Sequence, residues 1–395
     1  MIDVREFVAA DAELLLDEWG RIAMIPAPEG AEHRRASLIA ELADGVADRV
    51  QLDRAGNVVA TVDGEDDDGE TMTFLATMDD LGTVAAHRAG SDVLFRDGDR
   101  LVGAATETTS SDASALAILR FVRQAPRPWR RLTVAFVLGE ETGLTGVRSL
   151  LEDRGAELGS VVDLMGGIGT VSWNAIGFAG LEVEFVAQPR HTLYGGVSEV
   201  PDAIGRLILA LNSQPFPRHE APRGDPDAVV DWPDPLITRR VNRIHAGTVF
   251  NHSPSSGVVG IDVRCTDPDL LAEVEAATRQ AAADAAAAAS VHVRITDGER
   301  QPAVALTGGR NHRLVRALAQ AIREVGREPA LRPWSSSNIN AVYAAGLDGI
   351  VHDGLHRGGG RGTADEWTDI PRVLDGVAAD CRMLQLLTEP RPGTR

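Results

Sequence analysis

The chain has 395 residues and a formal net charge of -19, with 39 basic against 58 acidic residues. All 39 basic residues are arginine, which excludes a Schiff-base lysine, a phosphate-loop lysine and a lysine general base. The acid excess argues against nucleic acid or a membrane as a partner, since both need a positive protein surface. A cationic or neutral small substrate, or a metal ion, fits this charge better.

Length and cysteine content indicate the broad class of the protein. A chain of this length predicts two domains. Cys265 and Cys381 lie far apart and in no metal-binding spacing, which indicates a reducing compartment. The first residues lack the apolar core of a signal peptide, and no apolar run approaches the roughly 20 residues of a membrane helix. We therefore expect a cytoplasmic protein.

Helical and strand-like segments alternate through the first 165 residues. Apolar periodicity and breaker residues predict helix 6–24, helix 31–48, strand 57–62, strand 72–77, helix 111–122, strand 131–138, helix 144–154 and strand 160–163. This alternation predicts an α/β fold with a mostly parallel sheet flanked by helices.

The pattern changes near Trp173. Strand 179–187, helix 200–211, strand 258–264, helix 268–289 and strand 291–295 predict a smaller α+β layer inserted into the larger domain. The final part returns to the α/β pattern and closes with a helix over 371–388. We therefore predict one α/β domain formed by 1–176 and 303–395, and an inserted domain over 177–302.

Acidic residues follow or end several predicted strands. The acids are Asp79, Asp112, Glu140, Glu141 and Asp163, with Asp112 placed at the front of a helix. Sites in open parallel sheets form at the carboxyl ends of strands, so these side chains are expected to converge. Converging carboxylates repel one another and need a cation, usually a metal ion or a pair bridged by one carboxylate. The alternative is that each acid is a helix cap or a surface charge.

Five short motifs in this order carry a resemblance to a known family. They are Ile25-Pro26-Ala27-Pro28, Asp53-Arg54-Ala55-Gly56-Asn57-Val58, Gly139-Glu140-Glu141-Thr142-Gly143, Gly247-Thr248-Val249-Phe250-Asn251-His252-Ser253-Pro254 and Asp365-Glu366-Trp367. The chain resembles the dinuclear-zinc exopeptidases and deacylases, which include aminoacylase, acetylornithine deacetylase, succinyl-diaminopimelate desuccinylase, glutamate carboxypeptidase and peptidase T. The resemblance implies a zinc-exopeptidase-like sheet and an inserted lid domain through which two subunits pair.

The resemblance also implies roles for the five acids. Asp79 would orient a metal-binding histidine, and Asp112 would bridge two metal ions. Glu140 would be the general base that takes a proton from the attacking water. Glu141 and Asp163 would each hold one metal ion.

The remaining roles concern the substrate. His191 would reach a neighbouring active site across a homodimer and stabilise the oxyanion. Asn251 and Arg264 would hold the substrate, the arginine suiting a carboxylate. Asn338 and Asn340 are also predicted to contact the substrate, although the family usually has an aspartate at the position of Asn338.

Two departures from the family pattern bear on the metal. Thr77 and Gly362 stand where the family has histidines, one for each metal ion. Two carboxylates per ion suit Mg²⁺ or Mn²⁺ weakly, whereas zinc prefers three or more ligands including histidine. We therefore expect no tightly bound cofactor, and at most weakly bound zinc, manganese or magnesium.

Other residues are candidates to replace the lost charge. His87, His352 and His356 are possible replacement ligands by sequence distance. Arg357 and Arg361 flank the second lost histidine, and a guanidinium could pair with Glu141 or Asp112. A substrate ammonium could act in the same way.

Three functions remain open at this point. The first is an enzyme that acts on an amide or related C–N or acyl bond of an amino-acid-like substrate, with Glu140 as acid and base. Without a metal, such an enzyme would favour acyl transfer, ligation, cyclisation, isomerisation or elimination over hydrolysis of an unactivated amide. The second is a conventional metal-dependent amidohydrolase or peptidase with replacement ligands. The third is a non-catalytic protein that binds an amino acid or peptide.

Overall fold

A computed structural model describes residues 2–67, 69–80, 94–126, 128–166, 169–214, 235–353, 358–363 and 365–388. These residues form two compact units. Unit 1 contains the described residues of 2–174 and 305–388, and unit 2 contains the described residues of 175–304.

The helices and strands have the following bounds. The helices are α1 (Val4–Ala23), α2 (His33–Asp44), α3 (Thr106–Gln124), α4 (Thr145–Arg154), α5 (Glu199–Ser213), α6 (Pro268–Ala289), α7 (Arg313–Glu324), α8 (Ile339–Ala344) and α9 (Ile370–Thr388). The strands are β1 (Arg49–Leu52), β2 (Val58–Asp63), β3 (Thr71–Thr77), β4 (Phe95–Asp97), β5 (Arg100–Val102), β6 (Arg131–Val137), β7 (Ser160–Leu164), β8 (Thr170–Ser172), β9 (Asn174–Ala175), β10 (Gly177–Val186), β11 (Ile237–Ala246), β12 (Ser256–Cys265), β13 (His292–Gln301), β14 (Val304–Ala305), β15 (Ala330–Leu331), β16 (Trp334–Ser335), β17 (Gly349–Asp353), β18 (Gly358–Gly359) and β19 (Trp367–Asp369).

Unit 1 is built on an eight-stranded sheet with the order β1-β2-β6-β3-β7-β17-β8-β15. The central strands β6, β3, β7 and β17 run parallel to one another, while β2 runs antiparallel to β6. Strands β3 and β6 are buried along almost their whole length, as expected where helices cover both faces of a sheet. Helices α1, α3 and α9 pack against one another, and α3 contacts β3. The predicted α/β fold with a mostly parallel sheet is confirmed.

Unit 2 is a four-stranded antiparallel sheet with the order β11-β12-β10-β13. Buried and partly exposed residues alternate along β10 and β12, because one face of each strand packs against α5 and α6. The core under these helices is aliphatic and contains Phe185 as its one aromatic side chain among the described residues. An inserted α+β layer of this kind is the architecture that the sequence predicts.

Helix α3 begins earlier than the sequence pattern predicts. Its first two turns are rich in Thr and Ser, which favour caps and turns over helix interiors. Here the Thr109, Ser110 and Ser111 hydroxyls donate to backbone carbonyls three or four residues back. These bonds satisfy the hydroxyls within the helix, so the helix starts at Thr106.

Strand β11 is a second difference, because no strand was expected there. Its burial pattern does not alternate cleanly, and arginines interrupt its apolar residues.

Among the described helices, none is long and apolar enough to cross a membrane.

Candidate functional site

The candidate site lies at the carboxyl ends of the central parallel strands of unit 1. Strand β3 ends at Thr77, two residues before Asp79, and β6 ends three residues before Glu140. Asp163 lies in β7, where it pairs with Leu75 of β3. The parallel register therefore brings the acid-bearing segments to one edge of the sheet. The five acids Asp79, Asp112, Glu140, Glu141 and Asp163 are called the carboxylate cluster below.

Asp79 fixes the turn that carries the two glutamates. Its side chain is fully buried. Oδ1 accepts a hydrogen bond from the Glu140 amide at 2.9 Å, and Oδ2 accepts one from the Glu141 amide at 3.1 Å. Burial raises the pKa of the Asp79 carboxyl, and these two amide bonds oppose the rise. Asp79 therefore orients the backbone amides of Glu140 and Glu141.

Asp112 is fully buried in the second turn of α3. The prediction that it stands at the front of a helix is wrong, because α3 begins six residues earlier at Thr106. Neither carboxylate oxygen has a hydrogen-bond partner within the described part of the chain. Burial, opposed by nearby Arg35 and reinforced by Asp79 and Asp80, holds the pKa of Asp112 well above its usual range. These surroundings favour the protonated carboxyl.

Thr77 belongs to an internal hydrogen-bond network where the resemblance implies a metal-binding histidine. The Asn338 side-chain amide donates to Thr77 Oγ1 at 3.1 Å and to Asp163 Oδ1 at 3.5 Å. Asp163 Oδ2 also accepts the Ser337 hydroxyl at 2.5 Å and the Ile339 amide at 3.1 Å. Protein donors therefore engage both oxygens of Asp163.

The stability of the protein should depend on the ionisation of Asp163. Burial raises its pKa from 3.8 to about 6, and hydrogen bonds from neighbouring donors oppose the rise. Because the folded-state pKa is raised, this group's contribution to stability is complete below about pH 4 and is lost as the pH rises through about 6. In the unchanged chain, Asp163 should lower the free energy of unfolding by about 3 kcal/mol over this pH range. In Asp163→Asn this decline should be absent. Urea denaturation between pH 4 and pH 7 measures this decline.

A matched control is Asp97→Asn, which changes an exposed aspartate in β4. This variant should retain the pH profile of the unchanged chain. If the free energy of unfolding of Asp163→Asn varied with pH as that of the control does, the raised pKa of the buried Asp163 would be contradicted.

Arg361 immediately precedes Gly362, the position at which the resemblance implies a second histidine. Its Nε pairs with Glu107 Oε2 at 2.7 Å, and its Nη2 approaches Glu141 Oε1 at 3.8 Å. Glu366 holds this loop, since its Oε2 accepts from the Gly362 amide and its Oε1 accepts from the Glu107 amide, both at 2.8 Å. The loop therefore places a fixed positive charge among the carboxylates. The Arg361 side chain is 43% exposed, so a substrate can also reach the guanidinium.

Glu140 is the carboxyl best suited to move a proton. Burial raises its pKa well above the usual range, and the Glu141, Asp163 and Asp79 carboxylates add to the rise, whereas Arg361 opposes it. A glutamate of raised pKa can hold a proton near neutral pH and exchange it with a reacting group. The cluster therefore supports general acid–base chemistry at Glu140.

The carboxylate cluster does not fit a pair of zinc ions. Structural and catalytic zinc sites use three or four protein ligands, with histidine prominent. Within the described ranges, no group of three or more His, Cys, Asp and Glu side chains could hold a metal ion. Donors engage Asp163, and Glu141 faces Arg361. Both oxygens of Asp112 are free of described hydrogen-bond donors.

The proposed replacement ligands divide into two groups. His87, His356 and Arg357 lie outside the described residues. His352 is buried in β17, and its Nδ1 lies 2.8 Å from Asp380 Oδ1. This contact orients the ring within the core of unit 1.

Three predicted site residues belong to unit 2. The His191 ring packs edge-to-face against the His252 ring, with 4.7 Å between their centroids. Asn251 Oδ1 lies 3.2 Å from His252 Nδ1. Arg264, on β12, pairs with Asp262 at 3.2 Å. Unit 2 thus brings His191 and Asn251 onto adjoining loops, and their roles toward a substrate stay predictions.

Asn340 has a local structural contact, because its Oδ1 accepts from the Ser337 amide at 3.2 Å in the turn before α8.

The sequence pattern did not predict Glu107, Ser337 and Arg35 as residues of the site. The run Ser335-Ser336-Ser337 before Asn338 is a signal that could have identified Ser337, since small polar residues there can donate to a strand-end acid. No comparable signal marks Arg35, whose partners are distant in sequence.

Comparisons with known proteins give a consistent result. A family model described as "Peptidase family M20/M25/M40" matches residues 92–386. No curated protein sequence matches the chain.

Solved structures match over nearly the whole chain. Aminopeptidase PepT from Bacillus cereus has a TM-score of 0.73 and 16% identity, covering 96% of this chain and 99% of that chain. A tripeptidase from Staphylococcus aureus has a TM-score of 0.74 and 15% identity, covering 95% and 98%. Human carnosine dipeptidase 1 has a TM-score of 0.74 and 12% identity, covering 98% and 99%. At these identities the likeness shows a shared fold.

Proposed function

Because the chain belongs to peptidase family M20/M25/M40, we propose that it is an enzyme acting on an amide or related C–N or acyl bond of an amino-acid-like substrate. The family assignment supports a peptidase or amidohydrolase function in general. The finer proposal is that this site works without a tightly bound metal, with Glu140 as its acid and base.

One observation carries the metal-independent proposal. Arg361 extends into the carboxylate cluster and pairs with Glu107 while approaching Glu141 at 3.8 Å. A guanidinium keeps its charge at any physiological pH, so it can balance these acids permanently. The bonds that join Thr77, Asn338 and Asp163 support the same conclusion on the other side of the cluster.

The residues of the site support a proposal for the type of reaction. A metal Lewis acid supplies several kcal/mol of transition-state stabilisation, which is needed most for hydrolysis of an unactivated amide. We therefore propose an easier reaction, such as acyl transfer, ligation of an activated acyl group, cyclisation, isomerisation or elimination. Glu140 would give and take the proton in each case.

The charges of the site suggest the substrate class. The accessible guanidinium of Arg361 suits a carboxylate, and the surrounding acids suit an ammonium group. A molecule that carries both groups is an amino acid derivative or a short peptide. Arg264 of unit 2 is a second candidate to hold the carboxylate.

Replacing Glu140 with glutamine tests the proposal. Glutamine keeps the shape of the side chain and removes its acid–base function, so we expect turnover to fall by about 10²–10⁴-fold. Turnover should be measured on a panel of N-acyl amino acids, dipeptides and activated acyl esters, before and after dialysis against a chelator. The unchanged chain should keep its activity after chelation.

Glu157→Gln is the matched control, because Glu157 is exposed and outside the cluster. Full activity of Glu140→Gln would remove the acid–base role and favour a binding protein. Activity that disappears on chelation and returns with zinc would instead support a conventional metal-dependent amidohydrolase.

We also propose that the chain forms a homodimer through unit 2. Leu193, Tyr194 and Phe250 lie on the two loops that carry His191 and Asn251, and their exposed fractions are 87%, 84% and 105%. Large apolar side chains exposed together are typical of protein interfaces. A dimer through these loops would bring His191 to the site of the partner. Sedimentation velocity should find a dimer that Phe250→Glu weakens, and a monomer at all concentrations would contradict the proposal.

The chemistry of the cysteines supports a cytoplasmic location for this enzyme. Cys265 and Cys381 are both buried free thiols. Persisting free thiols suit a reducing compartment.

A further inference from the structure

Unit 1 contains a cavity that runs along α7. Its volume is about 990 Å³, and its walls come from α7, from the 3-10 turn Gly309–Asn311 before it and from the end of α9. No member of the carboxylate cluster lines it. We call this cavity the arginine groove, after the residues Arg310, Arg313, Arg316 and Arg323 in its lining.

The arginines of α7 lie along one face of the helix. Arg313, Arg316, Gln320 and Arg323 are spaced by three, four and three residues, which places them on one stripe. The stripe spans about 15 Å, since each helical residue rises about 1.5 Å. One acid, Glu70, shares the lining with four arginines. This positive surface contrasts with a chain whose formal charge is -19.

Two of these guanidinium groups are available to a ligand. Arg313 is engaged, because Nη1 donates to Glu70 Oε2 at 2.5 Å and Nη2 donates to Ser160 Oγ at 2.9 Å. Arg310 and Arg316 are exposed and have no ion pair or side-chain hydrogen bond with any described residue. Free guanidinium groups beside a cavity are well suited to bind carboxylate or phosphate oxygens bidentately.

The start of α7 adds to the positive potential of the arginine groove. Helix α7 begins at Arg313, and no side chain caps its N-terminus. Uncapped amide groups and the helix dipole both attract negative charge at this end. Leu331, Leu386 and Leu387 supply apolar walls beside the arginines.

We propose that the arginine groove binds a small, multiply charged anion that carries phosphate or carboxylate groups. One anionic group reaches Arg310 and Arg316 near the start of α7. Since Arg323 lies about 10 Å further along the helix axis than Arg316, a ligand with several charged groups uses the groove better than a single ion does. The site is separate from the proposed reaction and does not depend on it.

Calorimetric titration of the full chain with inorganic triphosphate, at about 50 mM salt to limit screening, tests this proposal. We expect saturable binding of one triphosphate per chain. Each arginine removed should weaken binding about tenfold, so Arg310→Gln/Arg316→Gln should weaken it about a hundredfold. A parallel titration with citrate distinguishes the two ligand chemistries: weaker binding than triphosphate assigns a phosphate ligand, and equal or tighter binding assigns a carboxylate ligand.

Two controls locate the binding. Arg206→Gln removes one positive charge from α5 of unit 2. Arg361→Gln removes the arginine that lies beside the carboxylate cluster. Both variants should bind triphosphate as the unchanged chain does. The proposal is overturned by an absence of saturable binding up to about 1 mM of both anions. It is equally overturned if binding persists in the groove variant and disappears in Arg361→Gln.

Discussion

Replacing Arg35 with leucine is expected to lower the free energy of unfolding by about 3–5 kcal/mol. The guanidinium is fully buried and pairs with Asp80, with 2.7 Å between Nη2 and Oδ1. It also donates to the Met78 carbonyl at 2.6 Å and to the Ile25 carbonyl at 2.6 and 3.1 Å. Removing the cation leaves a buried carboxylate and two carbonyls without these donors. Urea or thermal denaturation measures the loss.

A surface pair provides the matched control. Arg49 pairs with Asp63 at 3.0 Å, but 57% and 51% of their side chains are exposed. Solvent screens such a pair, so Arg49→Leu should cost at most about 1 kcal/mol. The double variant Arg35→Leu/Asp80→Leu should recover part of the Arg35→Leu loss, because no unpaired buried charge remains. An Arg35→Leu loss no larger than that of Arg49→Leu would show that this buried pair is not needed for stability.

Arg35 also links the stability of unit 1 to its site. Its positive charge opposes the rise in the pKa of Asp112, while Asp79 and Asp80 add to that rise. Without Arg35, the pKa of the buried Asp112 should climb further and the carboxyl should stay protonated over a wider pH range. The cluster thus depends on a cation supplied by α2, whereas Asp112 lies in α3.

The sheet could be predicted because its signals are local. Apolar runs bounded by turns mark β3, β6 and β7, and acids just after or within such runs fall at one edge of a parallel sheet. The start of α3 could not be predicted, since Thr109 and Ser111 form their hydrogen bonds only once the helix exists. Sequence spacing named Arg361 as a candidate cation beside Glu141, but it could not reveal that the closer partner of this guanidinium is Glu107.

Contacts between distant segments explain the remaining gaps. Asn338 joins Thr77 across 261 positions, and Arg35 joins Asp80 across 45. The spacing of apolar residues along the sequence does not predict contacts between such distant residues. The sequence has Thr77 and Gly362 where the resemblance implies histidines. It does not predict the hydrogen bonds that these two residues make, because those bonds depend on packing.

Restoring an imidazole should strengthen zinc binding at the site that we propose to work without a tightly bound metal. In Thr77→His/Asn338→Asp, a histidine takes the place of a hydroxyl near Asp163, and the Asn338 donor that engages Asp163 is gone. The backbone of residue 77 also contacts Ser111, the neighbour of Asp112 in α3. One imidazole and two carboxylates make a suitable three-ligand set for zinc. We expect the double variant to retain about one zinc ion per chain after dialysis, with affinity at least about 100-fold above that of the unchanged chain. Elemental analysis and a zinc-dependent rise in melting temperature measure the gain.

The second histidine position is harder to restore. Gly362 has a φ of 75°, in the left-handed region where a residue with a Cβ is strained by about 1–2 kcal/mol. Its neighbour Arg361 already pairs with Glu107 and approaches Glu141, one of the acids expected to hold a metal ion. Gly362→His alone should therefore lower stability without adding tightly bound zinc, whereas Thr77→His/Asn338→Asp should add zinc without this strain.

Thr77→Ala/Asn338→Asp controls for the imidazole, because it removes the same hydrogen bonds and adds no nitrogen ligand. It should stay folded and gain no zinc above the unchanged chain. If the unchanged chain already holds as much zinc as the double variant, the carboxylates bind metal despite their internal donors, and the metal-independent reaction loses its basis. If the double variant folds and gains none, the geometry around Asp163 and Asp112 is closed to a metal ion by more than the missing histidine.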